Sequence, residues 1–413
     1  MTQTQDALDA FEKFNRATGL GKVRTPYPAF AEARKKGPLI PASEMPSDSV
    51  DQMTTHGIEG PEPLVAVHFD AAQQILRDPD HFSSSLYANT MGIVMGPTVL
   101  QMDPPEHTLV RALLQKAFSR GELKRWEHEL VGPVVHELID AFAERGRADL
   151  VREFTFPFPV TVMAGMLGVP RERAAEFQRL AVEIISIAID PATAMQARQG
   201  LEDLLRPLLE QRKQMPQQDL LSILAHAEIE GERLSDELIY SFCRLLAPAG
   251  AETTYRSSSN LLFGLFTHSG QLDALRADRS LMPRAIEEGV RWEVPLTSIA
   301  RVCKADTVVC GVSVKAGTPV RICMGAANHD EKRWENPEEF DIQRPVRQHI
   351  GFAAGPHTCL GMHLARMETT VALNALLDRL PNLRLDPEAL DVHIAGEGFR
   401  APVALPVLFD PGT

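Results

Sequence analysis

The sequence has little that would tie it to a disulfide scaffold, a zinc module or a membrane. Only five cysteines occur in 413 residues, and no two are spaced as Cys-x-x-Cys. An odd, scattered set argues against a disulfide framework or a structural zinc site, and free thiols lead us to expect a reducing, cytoplasmic setting. No stretch reaches the ~20 consecutive apolar residues of a membrane-spanning helix, so no membrane anchor is expected. The N-terminus, Met1-Thr-Gln-Thr-Gln-Asp6, has neither a basic n-region nor an apolar h-region, and no signal peptide is expected. Positive charge is also short: 42 Lys and Arg stand against 55 Asp and Glu, a net charge of −13. A nucleic-acid-binding surface carries the opposite sign, which excludes nucleic acid as an expected partner. There is no repeat of fixed period and no low-complexity tract, and 44% hydrophobic residues suffice for a sizeable core.

What is present is mostly helical periodicity. Apolar residues recur at helical spacing over 104–118, 122–145, 171–188, 191–212, 234–266, 281–293 and 360–379. Strand signals are short: Pro63–His68, and two β-branched runs in Val308–Cys323 joined by Lys315-Ala-Gly-Thr318, read as a hairpin-like pair. Strands and helices do not alternate, which argues against a doubly wound sheet. The expected fold is mainly α with small peripheral β-sheets. Residues 37–62 read as irregular, and 82–106 as an apolar loop folded over something.

The most informative segment is Gly351-Phe-Ala-Ala-Gly-Pro-His-Thr-Cys-Leu-Gly361, which runs into a helical pattern from Met362. Cys359 therefore stands at a helix N-terminus, where outward amides and the helix dipole favour an anion. A cysteine so placed is expected as a thiolate able to ligate a metal. Gly355 and Gly361 permit tight turns and the close approach of a flat cofactor. The spacing Phe352-x-x-Gly355-x-His357-x-Cys359-x-Gly361 resembles the haem-binding signature of the cytochrome P450 family. The resemblance implies haem b (iron protoporphyrin IX) with Cys359 as axial thiolate. It also implies Phe352 packed beside the sulfur, His357 on a haem propionate, and Gly361 near the cofactor. It implies a single cytochrome P450 domain over 1–413, to which the first sixty residues add little, with haem between a long central helix and the cysteine-loop helix.

Leu245-Leu-Ala-Pro-Ala-Gly-Ala-Glu-Thr-Thr254 interrupts an apolar helical stretch with an acid and two hydroxyls. Pro248 offers no N–H to the carbonyl of Arg244, and Thr253 can bond back to that of Ala249. Together they predict a kinked or opened helix with a small polar groove, which Gly250 lets approach a flat ligand. Ala249–Thr254 is similar to the oxygen-binding motif of the same family. On that likeness Glu252 and Thr253 deliver protons for O₂ cleavage, while Ala249 and Gly250 lie against the cofactor.

Glu288 and Arg291 stand three apart on one helix face. They match the family's Glu-x-x-Arg, whose role is structural. Many relatives place an arginine before the phenylalanine of Asn336-Pro-Glu-Glu-Phe340; here Glu339 holds that place, and Arg344 is the expected substitute. His107 and Arg111 share a face after a double proline, and two donors on one face can grip a carboxylate. With Arg301 and His357 they match the family's propionate ligands.

Residues 107–125 carry Arg111, Lys116, Arg120, Lys124 and Arg125 against the single acid Glu122. By the resemblance this is a docking patch for an acidic electron donor, a ferredoxin with its reductase, since the sequence shows no flavin or iron–sulfur domain of its own. The implied substrate pocket contains Tyr87, Met91, Ile93, Val94, Met95, Leu246, Leu296, Ile299 and Phe399, a mostly apolar set suited to a hydrophobic small molecule. The implied reaction is a monooxygenation, hydroxylation or oxidative demethylation, with electrons from NAD(P)H. The alternatives are a peroxide-driven peroxygenase and a non-catalytic haem-binding sensor.

Overall fold

The computed structural model describes residues 12, 13, 15, 22–46, 61–188 and 190–411. Part of the segment expected to be irregular, 47–60, lies outside them. The architecture is mainly helical with small sheets. None of its helices is long and apolar enough to cross a membrane, among the described residues.

The organising element is the helix Asp236–Thr267, called here the central helix. Its start is set locally: the Ser235 hydroxyl accepts the Leu238 N–H at 3.3 Å, and Asp236 and Glu237 occupy the positive end of the dipole. It packs on the helices Pro157–Met166, Met282–Trp292 and Met362–Arg379, the last being the cysteine-loop helix. The kinked or opened stretch expected at Pro248 lies inside one continuous helix, Asp236–Thr267. A lost hydrogen bond and ring clash cost roughly 3 kcal/mol. Burial of Cys243, Tyr255, Leu261, Leu262 and Leu265 along the same helix outweighs that.

The other long periodic segments are helical with shifted ends. Residues 122–145 form Arg120–Trp126, a widened π turn over Glu127–Val131, and Gly132–Asp140. Pro133 cannot supply an N–H to the turn before it, and that turn widens. The helix Pro157–Met166 had no readable period because it is apolar on nearly every face and almost wholly buried. Within the supposed loop 82–106, Met91–Met95 is a short helix.

The main sheet has the order Leu39–Pro41, Leu64–Ala66, Pro319–Cys323, Ser298–Cys303, Phe82–Ser83. This corrects the hairpin reading. The turn Lys315–Thr318 does not join paired strands: Pro319–Cys323 runs parallel to Leu64–Ala66 and antiparallel to Ser298–Cys303. The hairpin is instead Thr307–Val309 with Val312–Val314. Its two turn residues, Cys310 and Gly311, have φ of 47° and 87°. Two successive positive φ values are what a two-residue turn needs to match strand twist.

Below the helix Met282–Trp292 a buried ion cluster holds the chain that leads into the cysteine loop. Glu288 accepts two bonds from Arg291, at 2.7 and 2.8 Å, and its Oε1 lies 3.2 Å from Arg344 Nε. Arg291 also donates to the carbonyls of Asn328, Pro337 and Glu339, and Arg344 to those of Glu335, Asn336 and Glu339. Glu288→Ala leaves the Arg291 guanidinium, 1% exposed, without its main counter-charge. The expected loss is about 3–5 kcal/mol in denaturant unfolding. Glu137→Ala, which removes the exposed partner of Arg171, should stay within about 0.5 kcal/mol.

Candidate functional site

The cysteine loop is built by backbone bonds that leave its sulfur accessible. The Cys359 N–H donates to Phe352 O at 2.9 Å, and the Thr358 N–H and hydroxyl both donate to Gly355 O. Gly355 has φ +70°, and a Cβ there would lie 2.2 Å from Leu76 O. Its glycine is required by the helix Phe69–Arg77, not by a cofactor. Gly361 differs: a Cβ there would meet nothing within 4 Å, so the space at this glycine is open.

Cys359 is exposed, yet it sits deep enough for burial to dominate its ionisation. Burial pushes the thiol up; the amides of Gly361 and Met362 and the cations Arg111 and Arg366 pull it down, and the net direction is up. Burial thus opposes the thiolate form that the helix start, the amides and the cations favour. A bound metal cation supplies what they do not.

Four nitrogen-bearing side chains gather next to the loop. The rings of His107 and His357 lie 4.1 Å apart. Arg111 donates to Thr358 O at 2.5 Å, and Arg301, on the strand Ser298–Cys303, donates to Ala300 O at 2.7 Å. Neither arginine has a carboxylate within ion-pairing distance among the described residues. Burial, then Arg301, His107 and Arg111, pulls His357 down to about 3, so it is neutral at pH 7. His107 is 2% exposed and its Nε2 has no partner, although buried imidazole nitrogens are normally bonded. Two arginines and two histidines with an orphaned donor are a place for carboxylates. With an accessible sulfur and open space at Gly361, they fit a flat cofactor that carries acid groups, such as haem.

The middle of the central helix presents the exposed Ala249 and the partly accessible Thr253, four apart on one face, next to the buried Ala251, Glu252 and Thr254. Thr253 donates its hydroxyl to Ala249 O at 2.6 Å, which leaves its oxygen free to accept. Glu252 is turned elsewhere: it is buried and receives Arg256 Nε at 2.8 Å, and Arg256 in turn donates to Asn15 Oδ1 at 2.6 Å. Gly250 does not face the accessible side. A Cβ there would lie 2.8 Å from Met163 Sδ, so the glycine serves contact with the neighbouring helix. Arg256, which sequence reasoning missed, has no motif of its own and is visible only as a basic residue four after an acid.

The apolar residues assigned to the pocket separate. Val94 and Met95 are 1% and 2% exposed and belong to the main core with Leu246. Ile93 is 56% exposed. The Tyr87 hydroxyl accepts the Ala300 N–H at 2.9 Å, and Met91 packs near Tyr87. Leu296 pairs with Phe399 through an isolated bridge, and Ile299 lies on the strand that carries Arg301. Of the basic stretch, Arg125 is engaged by Glu122 and Glu129, and Lys116 by Glu228 O.

Comparison with known proteins agrees with this geometry. The family model described as Cytochrome P450 matches residues 49–388. The cytochrome P450 monooxygenase PikC of Streptomyces venezuelae is 32% identical, over 94% of this chain and 92% of its own. A steroid C26-monooxygenase of Mycobacterium tuberculosis is 35% identical, over 76% of this chain and 86% of its own. Among solved structures, CYP109E1 of Bacillus megaterium in complex with testosterone superposes with a TM-score of 0.82 at 29% identity, covering 93% of this chain and 99% of that one. An accessible cysteine sulfur on a glycine-rich loop, unpaired cations beside it and a match over most of the chain lead to one conclusion: this protein belongs to the cytochrome P450 family and is a haem-iron monooxygenase.

Proposed function

We propose that the chain is one catalytic domain that binds haem b through Cys359 and oxidises a hydrophobic small molecule, with electrons from a ferredoxin-type donor and its reductase. The observation that carries this reading is Cys359: an accessible sulfur flanked by amides and cations, beside four donor side chains that have no carboxylate of their own. His107, Arg111, Arg301 and His357 would hold the two propionates; His107 Nε2 would gain the partner it lacks. When bound, haem supplies the iron at which O₂ is reduced and one of its oxygen atoms enters a C–H bond.

The chain's own residues then order protons and exclude water. Thr253 keeps its hydrogen on Ala249 O, so its oxygen can accept a bond from a water in the cleft and orient that water's second proton inward. Glu252 is buried and tied to Arg256, so its carboxylate is turned away from Thr253. Glu252 supplies a proton only after it leaves that pair. Met91, Leu296, Ile299 and Phe399 offer apolar contact for the substrate. A hydrophobic substrate is supported by two similar proteins, a steroid C26-monooxygenase and a structure solved in complex with testosterone. The stretch around Arg111, Arg120 and Lys124 supports an acidic redox partner in an otherwise acidic chain.

Cys359→Ser should abolish the strongly red-shifted Soret band of the reduced, CO-treated protein. Replacement of Cys243, Cys303, Cys310 or Cys323 by alanine should leave the band in place. A band retained in Cys359→Ser removes the ligand assignment. Thr253→Ala should keep NAD(P)H oxidation but cut product per NAD(P)H by roughly tenfold or more. Coupling that stays at the original level removes the role of Thr253. Turnover with peroxide alone, faster than with reductase, ferredoxin and NAD(P)H, would favour a peroxygenase instead.

A further inference from the structure

The two neighbouring acids Glu287 and Glu288 on the helix Met282–Trp292 reach different parts of the fold. Glu288 holds Arg291 and Arg344. Glu287 reaches the cysteine-loop helix, where Arg366 donates to it through Nε at 2.6 Å and Nη2 at 2.8 Å, a bidentate clamp. A third donor completes the carboxylate. His349 Nδ1 accepts the Gly351 N–H at 3.1 Å, so the ring proton sits on Nε2 and is directed at Glu287 Oε2, 3.2 Å away. Burial works to raise the Glu287 carboxyl, but His349 and Arg366 prevail and hold it at about 2, ionised at any working pH.

So clamped, the Arg366 guanidinium lies 4.8 Å from the centre of the Phe352 ring, the residue whose carbonyl receives the Cys359 N–H. The His349 ring lies 5.8 Å from the same phenyl ring. A cation is therefore fixed beside the cysteine loop by Glu287, which His349 in turn orients, and sequence motifs singled out none of the three. Its counter-anion lies on a different helix.

We propose that Arg366, held by Glu287 and His349, is a positioning residue whose charge sets how readily the Cys359-ligated iron accepts an electron. The proposal rests on Cys359 as the iron ligand. Reduction adds negative charge to the iron–sulfur unit, and a fixed nearby cation favours that state. Loss of the cation should make reduction harder. Loss of its anion, with the cation retained, should make it easier. A purely mechanical role, bracing Phe352, would send both changes in one direction.

The test is a spectroelectrochemical titration of substrate-free holoenzyme. Arg366→Gln should lower the reduction potential and Glu287→Gln should raise it, relative to the unsubstituted protein. Arg366→Lys, which keeps charge but loses the bidentate clamp, should fall between Arg366→Gln and the unsubstituted protein. Potentials that stay put, or shift the same way in both Gln variants, overturn the proposal. If Arg366→Gln does not fold, Glu287→Gln decides alone: a raised potential supports the proposal, and an unchanged or lowered one overturns it. The reduced CO spectrum separates the two layers. A thiolate-type band with unmoved potentials removes only the role of Arg366, whereas no such band in the unsubstituted protein removes the ligand assignment and this inference together.

Discussion

Burial opposes negative charge on the sulfur of Cys359, and the residues around the cysteine loop work against that cost. Desolvation pushes Cys359 toward the neutral thiol. Against it the fold arranges two amides at the start of the cysteine-loop helix and two arginines from different elements. These work against the cost of burial at the sulfur. A site that ionised its cysteine unaided would expose a reactive nucleophile whenever the cofactor was absent.

The same logic extends to the cations around the loop. Arg111 and Arg301 are anchored through backbone carbonyls, not carboxylates. Carbonyl anchoring fixes their position while leaving most of their charge for a ligand acid. His357 is kept neutral by burial and by those same cations, so it serves as a hydrogen-bond partner without adding repulsion.

Rigidity comes from buried arginines that tie together segments far apart in the chain. Arg291 and Arg344 converge on Glu288, Arg400 on Glu293, and Arg244 reaches Met95 O from the central helix. Arg291, Arg344 and Arg400 also satisfy carbonyls of irregular chain, which would otherwise be buried without partners. Such pairs add little net stability relative to apolar packing, but loss of one partner strands a charge. They therefore define one arrangement of the loop segments more than they stabilise it.

The sequence by itself determined the long periodic helices and the loop that carries Cys359, because helical period and glycine-rich turns are local properties, while His107, Arg111, Arg301 and His357 were singled out through family resemblance. Local reading failed where the deciding contact was distant. Pro157–Met166 is apolar on all sides and shows no period. The strand Pro319–Cys323 pairs with strands remote in sequence, so the nearby turn misled. Gly250 and Gly355 look alike as motif glycines, yet Met163 and the Leu76 carbonyl decide what each accommodates. Tertiary structure alone decided that Glu252 is bound to Arg256, that Val94 and Met95 fill core, and that Arg366 stands over Phe352. Charge and burial depend on what surrounds a residue in space, and no spacing along the chain encodes that surrounding.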